Sequence, residues 1–90
     1  MPAEIDARVR ACVRDAEASG RALEIPVIVT LRNAVDVDSL RDHGLRVGHV
    51  FARIAAVSGR VQASEVTRLA SLVDVERIEY DGEMHALDAE

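Results

Sequence analysis

The stretch Ile25-Pro26-Val27-Ile28-Val29-Thr30-Leu31 is a nearly unbroken apolar and β-branched run. It is too short for a buried helix, and β-branched side chains pack best on a pleated surface, so it predicts a strand. A run without polar alternation is expected to be covered on both faces and hence to lie centrally in its sheet. Pro26 stands near its start, where a missing amide donor is tolerated. The rest of the chain must then supply neighbouring strands and a covering layer.

The flanking sequence supplies both. Over residues 3–19, Ile5, Val9, Cys12, Val13 and Ala16 form a helical stripe with Arg, Asp and Glu opposite, and Gly20 ends it. Asn33 to Asp38 provides turn and cap chemistry for a short helix over Ser39–His43 that stops at Gly44. Val47, His49 and Phe51 alternate with Gly48, Val50 and Ala52 in a second strand. Val57, Gly59, Val61 and Ala63 alternate with Ser58, Arg60 and Gln62 in a third, one face of which is polar. Ser64 is placed to cap a helix that turns Val66, Leu69, Ala70 and Leu72 inward, and Val75 to Asp81 is a fourth strand. The order αβαββαβ predicts an α+β fold: a ferredoxin-like βαββαβ antiparallel sheet with two helices on one face, plus an extra N-terminal amphipathic helix. The second sheet face is expected to be polar, or covered by that helix or by a partner.

Ninety residues with 49 % apolar content make one domain with a single aliphatic core, since Phe51 and Tyr80 are the only aromatic residues of the Phe, Tyr and Trp classes. Eleven arginines face sixteen acids, a net charge of −5, and no aromatic lies on the first or third strand to stack bases, so nucleic-acid binding is excluded. The acids concentrate late. Residues 74–90 hold Asp74, Glu76, Glu79, Asp81, Glu83, Asp88 and Glu90 against Arg77 alone. The N-terminus lacks the apolar run of a signal peptide, and no stretch is long enough to span a membrane, so a cytoplasmic protein without membrane contact is expected.

No chemistry-bearing motif stands out. His43, His49 and His85 fall in three different elements with no ligand spacing between them, and the single Cys12 sits on an apolar stripe as a small hydrophobe, so neither a metal nor another cofactor is expected. There is no phosphate loop, nucleophile motif or carboxylate pair in a setting that suggests raised acidity constants, and the chain does not read as an enzyme.

From Val27 to Leu87 the sequence resembles the subtilisin propeptide and subtilisin-type peptidase inhibitor family. The resemblance rests on the apolar first strand, Gly44 before the second strand, Phe51 followed by Ile54, and the small-residue run Ala55-Ala56-Val57-Ser58-Gly59. It continues with Val66 and Leu69 on the second helix, Val75, Ile78-Glu79-Tyr80-Asp81, and the ending His85-Ala86-Leu87. It divides the chain into an N-terminal helical extension, residues 1–24, which has no family counterpart, and a propeptide-inhibitor-like domain, residues 25–87, with a C-terminal tail at 84–90. It implies a free-standing inhibitor or intramolecular chaperone of a subtilisin-like serine protease.

In that family the open sheet face docks on two enzyme helices, and acids at the positions of Glu79 and Asp81 cap their N-termini. The tail Met84-His85-Ala86-Leu87 would enter the cleft by strand addition, Leu87 in the primary specificity pocket and Met84 in the fourth. Asp88-Ala89-Glu90 runs past the family's expected end. The alternative is a non-inhibitory ferredoxin-like interaction or assembly module, self-associating through the N-terminal helix.

Overall fold

The computed structural model describes residues 3–81. Its elements are β1 (Glu4–Ile5), α1 (Ala7–Ser19), β2 (Glu24–Leu31), α2 (Val37–Asp42), β3 (Leu45–Phe51), β4 (Ala56–Gln62), α3 (Val66–Ala70) and β5 (Val75–Tyr80), with 3-10 turns at Ala52–Ile54 and Ala63–Glu65. The result is a small α+β domain with a five-stranded sheet in the order β1-β5-β2-β4-β3. β2 pairs antiparallel with β4 along one edge and with β5 along the other, β3 pairs antiparallel with β4, and β1 pairs parallel with β5. No helix among the described residues is long and apolar enough to cross a membrane.

β2 is central, as its composition predicts, but it is covered on one face only. Ile25, Val27, Val29 and Leu31 are buried, whereas Glu24, Pro26, Ile28 and Thr30 are only partly so. The buried four share one cluster with Val9 and Ala16 of α1, Leu40 of α2, Val66 and Leu69 of α3, and Val57, Val61, Val75 and Ile78 of the neighbouring strands. All three helices therefore pack on the same side of the sheet. Of the alternatives for the second face, cover by the N-terminal helix is the one the packing removes: α1 spends its apolar stripe beside α2 and α3. Val27, Val29, Leu69 and Ile78 are sealed from solvent, and each such side chain contributes about 1.5–3 kcal/mol.

The helix also starts later than its stripe suggests. Ile5 belongs to a strand that pairs with Ile78, and Asp6 takes over from there. Its backbone N–H donates to Ile78 O at 2.9 Å. Its carboxylate accepts from Arg8 N–H at 3.2 Å, capping α1, and from Tyr80 N–H at 3.1 Å, completing the outer edge of β5. One side chain thus starts a helix and closes a sheet edge. The Tyr80 and Arg8 amides hold the Asp6 carboxyl below the usual aspartate range, the Tyr80 bond being the larger cause. Arg8 reinforces the joint by lying over the Tyr80 ring, 5.7 Å from its centroid.

Elsewhere the turn chemistry largely follows the sequence. Asp36 caps α2 through the Ser39 N–H at 3.2 Å and hydroxyl at 2.9 Å. Gly44 leaves α2 at φ 101°, a conformation that disfavours any residue with a Cβ. Ser64 does not cap α3: the chain enters through the turn Ala63–Glu65, and α3 has no side-chain cap. β3 departs from simple alternation, because its register against β4 shifts between Val47 and His49. Gly48 is the extra residue of a bulge, and after it His49 and Phe51 lie on the face opposite to Val47.

Asp6→Ala should lower stability at neutral pH by about 0.5–2 kcal/mol, the range for a lost helix cap, measured by urea unfolding. Because the folded-state pKa is depressed, this contribution is complete above the unfolded aspartate pKa of about 3.9 and is lost as pH falls through the lower folded value. The difference between wild type and Asp6→Ala should therefore shrink in acid, and a difference constant down to the acid transition would contradict the clasp.

Candidate protein-binding face

The face away from the helices can be read row by row from the strand register, since residues directly opposite on adjacent strands share a side. Arg46, Arg60 and Pro26 form one row; the Asp81 N–H donates to Pro26 O at 3.0 Å, which sets Asp81 beside it. His49, Ser58, Ile28 and Glu79 form the next. Phe51, Ala56, Thr30, Arg77 and Glu4 form the third. Glu24 opposes Gln62 at the end nearest Arg60.

The rows hold an apolar middle between two charged flanks. Ile28 and Ala56 lie centrally, and toward the β3 edge the His49 and Phe51 rings approach to 4.6 Å at a 56° tilt. Phe51 is 37 % exposed, and Ile54 in the adjoining turn is 67 % exposed, levels that a folded chain reserves for few large hydrophobes in one neighbourhood. On one flank Glu24 accepts from Arg46 at 2.8 Å and lies 3.8 Å from Arg60, holding apart two cations that would otherwise repel directly across the ladder. A shallow depression of about 350 Å³ opens here, lined by Pro26, Arg46, Ser58, Arg60 and Asp81. On the other flank Arg77 stands between Glu4 at 3.5 Å and Glu79 at 3.9 Å.

Glu79 is thus on the uncovered face, opposite to the neighbouring buried Ile78, and Asp81 stands at its border next to Pro26. The two are not equivalent, because Glu79 shares Arg77 with Glu4. The tail residues Met84, His85, Ala86 and Leu87 lie outside the described residues. Of the remaining candidates, Cys12 is partly buried against the core. His43 lies over α2 with Nδ1 2.9 Å from Ser39 O. Among the described residues no polar or charged side chain is fully buried, and no cluster of three His, Cys, Asp or Glu is placed to hold a metal. The arrangement offers contact area and paired charge, the materials of a docking surface.

The Arg46–Glu24–Arg60 cluster depends on register and was not legible in the sequence; His49 and Phe51 were expected to share a face, but together with Val47. A lone Gly48 within a strand pattern was the signal for the bulge that turns the pair onto the open face. No family model matches the chain, and no curated protein or solved structure matches it.

If this face is free for binding, its residues should matter little to the isolated fold. Ile28→Ser should cost below about 1.5 kcal/mol in urea unfolding, whereas Ile78→Ala should cost about 2–5 kcal/mol as a core truncation. Equal losses would mean that the chain covers Ile28 itself.

Proposed function

We propose that this chain is a propeptide-like inhibitor or folding chaperone of a subtilisin-like serine protease. The observation that carries the reading is a sheet face left wholly uncovered by three helices, with Glu79 on it and Asp81 at its border, on the strand that leads directly into residues 82–90. The succession β2-α2-β3-β4-α3-β5 in the spatial order β5-β2-β4-β3 supports a ferredoxin-like core of the kind the family resemblance implies.

In this reading the face seats on enzyme helices. Carboxylates aimed at helix N-termini meet unpaired N–H groups and the positive end of the dipole, an interaction of about 0.3–1 kcal/mol per charge. The tail then adds a strand within the cleft, with Leu87 and Met84 as its apolar anchors and Asp88-Ala89-Glu90 beyond the primary pocket. The chain supplies no catalytic group and takes no cofactor; its effect is occupancy, exerted in the cytoplasm on a separate protease.

A second reading uses the same face without the tail, as a non-inhibitory interaction or assembly module. What favours it is the breadth of the surface: the His49–Phe51 pair lies on the β3 edge, across the sheet from where the tail begins.

The full chain should inhibit a subtilisin-like protease in a peptide-hydrolysis assay. A version ending at Asp81 should inhibit at least about a hundredfold less well, since Met84 and Leu87 together carry roughly 3–6 kcal/mol if both are buried. Equal inhibition by the two versions would refute the tail mechanism. Binding of both versions without inhibition would favour the interaction module.

A further inference from the structure

With the α1 stripe packed on the core, the uncovered sheet face is a broad surface open to self-association, and its charges are laid out for a second copy of itself. β2 is the middle strand of five, with β5 and β1 on one side and β4 and β3 on the other. On the exposed face the β4 and β3 side carries Arg46 and Arg60 and no acid. The β5 and β1 side carries Glu4, Glu79 and Asp81 against the single cation Arg77. The two halves therefore have formal charges of +2 and −2, while Glu24 at the end of β2 is held by Arg46 and Arg60.

We infer that two copies pair reversibly, face to face, about a two-fold axis lying along β2. Such an axis keeps each row level and exchanges left for right. Arg60 of one copy then opposes Asp81 of the other, Ser58 opposes Glu79, and Phe51 and Ala56 lie over the Glu4 and Arg77 side. Pro26, Ile28 and Thr30 meet their own counterparts on the axis, giving the contact an apolar spine. Every off-axis contact occurs twice, as an isologous interface requires. The strands of the two sheets run nearly aligned, the common geometry of packed sheets. A two-fold axis across the strands would instead invert the rows, setting Arg46 and Arg60 over the partner's Phe51 and the partner's Ala56 and Glu79 over its own counterpart, so only the axis along β2 opposes Arg60 with an acid.

Size sets the strength. Five strands spaced about 4.8 Å apart and some seven residues rising about 3.3 Å each give a face on the order of 500 Å². A standard specific interface buries about 800 Å² per partner, so this one is weak and concentration-dependent. The pairing does not rest on the protease reading, but it hides the same face, so dimer and docked complex exclude each other.

Sedimentation velocity over about 10 μM to about 1 mM, the range of a weak complex, tests the inference, with circular dichroism melts to verify folding. The wild-type sedimentation coefficient should rise toward the dimer value with concentration and fall back at high salt. Arg60→Asp and Asp81→Arg should each remain monomeric while folded. An equimolar mixture of the two should recover the dimer, because each mixed pair regains one native Arg60–Asp81 contact and one reversed one. A wild type that stays monomeric throughout, single variants that dimerise like wild type, or folded variants whose mixture stays monomeric would each overturn it.

Discussion

Everything in this domain depends on β2 being paired along both edges and buried on one face. Its backbone donors and acceptors are spent on β4 and β5, which fixes the sheet around it. Ile25, Val27, Val29 and Leu31 then have to be sealed from water, and the helices collect over them. Pro26, Ile28 and Thr30 point the other way because successive side chains alternate across a strand. In a chain of this size the apolar surface is sufficient for one covering layer, and all three helices go into it. The uncovered face follows from that expenditure.

Asp6 is the joint that lets α1 take part. A helix ahead of a βαββαβ unit has no fixed place until something anchors its start. Here the anchor is a carboxylate that accepts one amide from the helix and one from the last residue of β5. Glu4 and Ile5 extend the sheet by two residues on the same edge, pairing with Arg77 and Ile78, and the Asp6 carboxylate takes the Tyr80 N–H beyond them. The exit of the chain toward residues 82–90 is therefore set at Asp81, beside Pro26, by hydrogen bonds from two directions. Under the proposed inhibitor reading, a tail entering a cleft in a fixed register benefits from a fixed point of departure.

The sequence disclosed the elements well and their layering poorly. Helical and strand periods, Asp36 and the stops at Gly20 and Gly44 were legible because each depends on neighbours within four residues. That Ile28 is left partly exposed was not legible: an apolar residue among apolar residues carries no mark of which face is covered. The side of the sheet taken by α1 was hidden for a related reason, since an amphipathic stripe shows that a helix packs but not upon what. Asp6 stood at the head of a helical pattern, yet its second bond joins residues 74 positions apart. Of the candidate site, Glu79 followed from alternation about Ile78, although a register shift at Leu31 breaks that alternation back to Val75, whereas the turn of His49 and Phe51 onto the open face required a bulge that alternation hides.

Methyl NOEs in solution decide whether α1 packs with α2 and α3 and leaves the opposite sheet face open. Cross-peaks are expected from Val9 to core side chains such as Val27 and Ile78, and none from Val9 to Ile28, Ala56 or Phe51. Cross-peaks from Val9 to Ile28 or Ala56 within one molecule would instead place the helix on the open face and overturn this arrangement of layers.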